Sequence, residues 1–150
     1  MVSNTTHSPS KPEVAFGKLF WIGPLSIGIT ILADLLVRTV AVAFFGVPES
    51  FVYLQPPFLI GSIAFFGVLA TLVFALVARF ARRPVRLYRI LASIALLVSF
   101  LNPILALSGQ FPAPGMNIHI FWTMIVMHCI AALIIVSLLT RLSVTNKTQR

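Results

Sequence analysis

The stretch GKLFWIGPLSIGITILADLLVRTVAVAFF, residues 17–45, decides the fold class. Beyond Lys18 it holds only two ionisable side chains, Asp34 and Arg38, one helical turn apart. The hydrocarbon core of a bilayer is about 30 Å thick, and a helix needs roughly 20 mainly apolar residues to cross it. This run exceeds that length. It is also longer than the roughly 7–15 apolar residues of a secretory signal, so it is expected to be a retained membrane helix, although Ala41-Val42-Ala43 resembles a cleavage site.

Three more apolar runs follow, at about 58–80, 87–107 and 117–140. Hydrophobic residues make up 59% of the 150 and charged residues only 9%, against roughly 25% charged in a soluble domain. Lipid offers no partner for backbone polar groups, so only helices or closed barrels cross it. The runs are continuous and lack the alternation of barrel strands. The expectation is an all-α membrane protein, an antiparallel four-transmembrane-helix bundle, since short loops make consecutive helices antiparallel neighbours. Residues 1–15 read as a flexible tail, 16–141 as the membrane domain and 142–150 as a basic tail. The segment GVPESFVYLQPP, 46–57, is expected to lie flat on the interface, and Asn102-Pro103 to kink the third helix, with the Asn side chain replacing the lost backbone bond.

A net charge of +8 raises the question of nucleic acid, but the distribution argues against it. Arg79, Arg82, Arg83, Arg86 and Arg89 cluster around the second-to-third connection. Lys11 and Lys18 flank the first run; Arg141, Lys147 and Arg150 follow the fourth; the two remaining loops hold neither Lys nor Arg. Positive residues mark the cytoplasmic side, which predicts cytoplasmic N and C termini. Arg82, Arg83, Arg86 and Arg89 are candidate contacts for anionic lipid headgroups. The bilayer is the expected partner, with a homo-oligomer or larger membrane complex as candidate assemblies and no nucleic acid.

Little in the sequence carries recognisable chemistry. Cys129 is the single cysteine, which excludes an intrachain disulfide and a CxxC redox pair. No catalytic triad, zinc spacing, phosphate-binding loop or dinucleotide fingerprint occurs. Met124, Met127, His128 and Cys129 are soft donors, but side chains of adjacent residues diverge around a helix. His119 and His128 stand more than two turns apart. No metal and no cofactor is therefore expected.

Small residues recur at helical spacing, Gly67, Thr71 and Ala75 in the second run, extended by Ala64 and Ala78, and Ala92, Ala95, Ser99, Asn102 and Ala106 in the third, while Gly23, Ile27, Thr30, Asp34, Arg38 and Ala41 share a face of the first. Such stripes are expected to let membrane helices approach closely. The fourth run places Asn117, Phe121, Met124, His128 and Ala131 on one face. Asp34, Arg38, Asn102 and His128 fall at the midplane or in its outer half, on three helices, and form a candidate polar intramembrane site opening outward. Asp34 and Arg38, at i and i+4, are placed to meet as a self-neutralising pair that fixes packing. Arg38 is also long enough to snorkel outward and leave Asp34 alone, as a substrate, ion or proton site. His128 reads either as a hydrogen-bonding partner within the bundle or as a proton relay with Asp34.

Three segments, WIGPLSIGITILADLLVR at 21–38, ALVARFARRPVRLYRI at 75–90 and MHCIAALIIVSLLTRL at 127–142, resemble small four-span bacterial membrane proteins known only as a domain of unknown function. The resemblance implies a bacterial inner-membrane protein and carries no activity. The functional expectation is a non-enzymatic accessory, sensory or scaffolding component. The alternative is a small transporter or permeation subunit that uses the polar site.

Overall fold

The computed structural model describes residues 13–14 and 16–145. Helix α1 runs Phe16–Phe45 and helix α2 Pro56–Phe80. The third rod is α3, Pro84–Ser99, continued by α4, Leu101–Leu107, and the fourth is α5, Ile118–Leu142. All four rods are long and apolar enough to cross a membrane, with mean hydropathies of 2.0 to 2.5. At about 1.5 Å per residue the shortest spans roughly 36 Å. The protein is an all-α four-helix bundle and an integral membrane protein.

Local sequence chemistry sets the helix ends. Gly46, at φ 64°, ends α1 in a left-handed conformation that glycine adopts without a Cβ clash. Pro56 and Pro84 open α2 and α3, at positions where a missing N–H is harmless. Asn117 is the cap of α5 rather than part of its face, its Oδ1 accepting the Ile120 N–H at 3.0 Å.

Around the bundle, α1 packs most extensively on α5 and next on α2, while α3 closes the ring against α2 and α5. The outside is apolar: Trp21, Phe44, Phe65, Leu97 and Leu133 are all exposed. In water such a surface would aggregate; in a bilayer it is the solvated face. Two buried clusters occupy the two ends. One joins Ala41, Val47, Phe51, Leu54, Leu59, Ile120, Met124 and Met127. The other joins Leu19, Ile22, Phe74, Tyr88, Ile135 and Leu139.

Four features differ from the sequence reading. The 46–57 segment does not lie flat. Val47, Phe51 and Leu54 turn inward and are buried, with a 3-10 turn at Val52–Leu54, because three large apolar groups gain more from the bundle end than from an interface. Of the tails, Glu13–Val14 and Val144–Thr145 pair as a two-residue antiparallel ladder, β1 with β2, so both chain ends leave the same end of the bundle. Residues 1–12, 15 and 146–150 of those tails lie outside the described residues. The third rod breaks as expected, at Phe100 between α3 and α4, and the difference lies in the side chain that bonds there. Pro103 has no N–H for the Ser99 carbonyl and its ring crowds that carbonyl. The side chain bonded at the break is Ser99, whose Oγ donates to the Leu96 carbonyl at 2.7 Å; Asn102 is exposed. Finally, the small residues of α3 border a cavity and do not form a close-packing seam.

Candidate functional site

The first two helices interlock tightly. A Cβ built on Gly67 would stand 2.5 Å from Ile27 Cγ1, and one built on Gly23 would stand 3.0 Å from Thr71 Cγ2. The glycines of α1 and α2 therefore form a seam in which a side chain of each helix seats directly on the backbone of the other. Behind it α1 buries a polar row. Ser26 Oγ donates to the Gly23 carbonyl and Thr30 Oγ1 to the Ser26 carbonyl, both at 2.8 Å, and both residues are fully buried.

One turn further along, Asp34 is 3% exposed, and its Oδ1 has no hydrogen-bond partner among the described residues. The expected pair with Arg38 does not form. Arg38 Nε instead donates to the Leu54 carbonyl oxygen at 2.7 Å. The inward fold of the 46–57 segment brings that acceptor to the guanidinium, so Arg38 reaches toward the bundle end and Asp34 stays behind.

Asp34 borders a cavity of about 730 Å³ walled by α2, α3 and α5. Ala92, Ala95, Ser99 and Asn102 of the third rod line it, together with Gly67 and Ala70 of α2 and Ala131 and Ala132 of α5. The stripe on this rod thus borders open space, where a small side chain leaves room rather than drawing a helix in. Lining residues on α2 and α3, such as Phe66 at 63% and Val98 at 58% exposure, reach the outer surface. Those on α5 do not: Met124, Met127 and Ile135 are buried. The rim of the cavity therefore lies between α2 and α3 and faces the lipid side.

Of the four intramembrane residues singled out by sequence, Asp34, Asn102 and His128 border this one cavity, and Arg38 does not. Ser62, Ser99 and Tyr53 border it too, although sequence reasoning did not name them as site residues. Ser99 shared a helical face with Asn102, a signal that was present; Tyr53 lies in the inward-folded loop and carried none. His128 Nδ1 meets the Met124 carbonyl at 2.7 Å. A carbonyl only accepts, so Nδ1 carries the hydrogen, and in the matching neutral tautomer Nε2 holds a lone pair. The ring also packs edge-on against Phe100, with centroids 6.4 Å apart. Among the described residues no three His, Cys, Asp or Glu side chains converge as a metal site.

At the α2–α3 connection Arg82, Arg83, Arg86 and Arg89 stand at the surface, beside the basic end of α2 at Arg79. The first three line a shallow groove of about 380 Å³ with Ala81, Leu87 and Ile90, and Arg89 lies off it. Basic and apolar side chains thus line one groove.

Comparison with known proteins places most of the chain in one family. The model of the Family of unknown function (DUF6069) matches residues 17–145, and the chain belongs to that family. No curated protein and no solved structure matches it.

Proposed function

We propose that this family member is a non-enzymatic binding protein of the bacterial inner membrane, sensory or accessory in role, whose intramembrane cavity holds a small lipid-soluble ligand. The observation that carries the reading is the cavity itself. Its volume of about 730 Å³ falls within the roughly 300–1,000 Å³ of small-molecule sites, and like them it is mainly apolar with a few convergent polar groups. Its rim lies between α2 and α3, so the ligand enters from the bilayer. Both termini and the arginine-rich connection face the cytoplasm, because the other connections carry no Lys or Arg.

Binding is favoured over permeation. Among the described residues the two buried apolar clusters stand at the two ends of the bundle, which supports a pocket over a through-path. A carrier that releases its ligand on the far side would have to open either cluster.

The test is photolabelling in nanodiscs with an apolar diazirine probe, read residue by residue by mass spectrometry. Saturable labelling is expected at cavity-lining positions, and filling the cavity with Ala92→Trp should remove it. Labelling spread evenly over Leu97, Leu133 and other outward residues, with no saturation, would overturn the reading.

A further inference from the structure

Six side chains lining the cavity carry an O–H or N–H, and four of them have given a hydrogen to backbone while their lone pairs stay unused. Ser62 Oγ donates to the Leu59 carbonyl at 3.0 Å and Ser99 Oγ to the Leu96 carbonyl at 2.7 Å. Tyr53 donates its hydroxyl hydrogen to the Pro112 carbonyl at 3.2 Å, and His128 donates through Nδ1. Each of these groups has given a hydrogen to backbone, so the three hydroxyls, and His128 as the neutral tautomer, offer a ligand an acceptor. Asp34 adds a carboxyl group that borders the cavity and whose Oδ1, itself buried, is unpartnered. Only Asn102 and Tyr88, among the residues lining the cavity, keep side-chain donors free of such a bond. Asn102 is exposed, and Tyr88 sits within the end cluster against Phe74, with ring centroids 4.8 Å apart.

A ligand that fits this wall must bring its own hydrogens and a positive charge. A buried carboxylate without a partner is unfavourable in a low-dielectric setting, and among the described residues no cation reaches it: Arg38 is bonded to Leu54 and lies off the cavity. Aromatic rings add to the same preference. Tyr53 and Phe58 stack edge-to-face at 5.1 Å, and both border the cavity with Phe66; such faces attract cations. The remaining lining is aliphatic and suits a hydrocarbon body. An anionic ligand would face Asp34 and a set of lone pairs.

We infer that the ligand is a lipophilic amine, bound as its ammonium ion with N–H groups directed to Asp34 and the neighbouring acceptors and its apolar body lying between α2, α3 and α5. The inference rests on the binding reading above and narrows it to one chemical class. No covalent step is involved.

The test uses the full chain in phosphatidylcholine nanodiscs, where the lipid adds no net charge of its own. A diazirine-bearing alkylamine and its neutral alcohol isostere are compared as photoprobes. The amine is expected to label the cavity saturably and at least tenfold more tightly than the alcohol. Unlabelled alkylamine should displace it, and an alkylcarboxylate of equal chain length should not. Asp34→Asn should erase the amine preference, whereas Asp34→Glu should keep it. The displacement pattern is read on the unaltered protein, so it decides even where Asp34→Asn folds poorly. Equal affinity for amine and alcohol, or displacement by the carboxylate, would overturn the amine while leaving an apolar binding cavity. Absence of saturable labelling by either probe would overturn both readings.

Discussion

Gly67 shows how much one hydrogen atom in place of a side chain decides. Any Cβ there meets Ile27 at Cγ1 and Cδ1, and a β-branched side chain in a helix has little χ1 freedom to swing that arm away. Overpacking of this kind costs about 1–3 kcal/mol. Helix propensity pulls the other way, since Ala is favoured over Gly by about 1 kcal/mol, so Gly67→Ala is a near balance and a poor probe. Gly67→Leu is decisive: α1 and α2 must separate, and the thermal midpoint in detergent should drop by several degrees. Gly61, on the same helix with open space around it, supplies the control; Gly61→Leu should leave the midpoint within a degree or two. A matching loss at both sites would mean that the α1–α2 seam is not where the structure places it. The seam was legible in sequence as Gly and Thr at four-residue spacing. The isolation of Asp34 was not, because i,i+4 spacing allows a pair and says nothing of a third partner. Leu54 is sixteen residues from Arg38 in the chain, and only folding brings its carbonyl there.

At the scale of elements, the broken third rod follows from Pro103. The imino acid is buried and removes one backbone bond at the turn that borders the cavity. Pro103→Ala restores the N–H and should join α3 and α4 into one helix. Spin labels at Ser93→Cys and Leu107→Cys, in a Cys129→Ser background, would report it. A continuous helix puts these positions roughly 21 Å apart, and the native distance should be shorter. The same variant should weaken capture of the photolabelled amine, since Ser99 and Asn102 flank the break and both line the cavity. An unchanged spin-label distance would show that tertiary packing, and not proline, holds the bend. The break was visible in sequence as Asn-Pro inside an apolar run. That Ser99 rather than Asn102 bonds there depends on which face of the helix meets the void.

For the whole molecule, the even number of rods brings both chain ends to one end of the bundle, where β1 and β2 pair. The arginine-rich connection belongs to the same end, because it follows two rods. Orientation then comes down to a single sign. Impermeant maleimide added to intact cells should label Ser50→Cys and spare Arg83→Cys, both made in the Cys129→Ser background; the reverse pattern would invert the proposed topology. The groove lined by Arg82, Arg83, Arg86, Leu87 and Ile90 combines the charge and the apolar surface that we propose an anionic lipid would meet. Each basic residue near an anionic surface contributes about 1 kcal/mol. Replacing these three and Arg89 with Gln should lower retention of anionic over zwitterionic lipid during purification, measured by lipid mass spectrometry. Equal retention by the native and Gln forms would remove anionic lipid as a specific partner.

The sequence alone determined that the chain is an all-helical membrane protein with four rods. Both properties are local sums: hydropathy accumulates along a single segment, and lipid forbids any other backbone solution. It also singled out Asp34, Asn102 and His128 as polar groups that must find company inside the bundle. Only the tertiary structure decided what company they keep. Whether a stripe of small residues closes onto a neighbour, as on α2, or borders a void, as on α3, depends on the distance between helices, which no segment encodes by itself. Which hydrogens remain free depends on which carbonyl each hydroxyl and ring nitrogen has already met. The acceptor-rich wall around Asp34 is a product of those contacts, and it exists only once the helices and the 46–57 segment are in place.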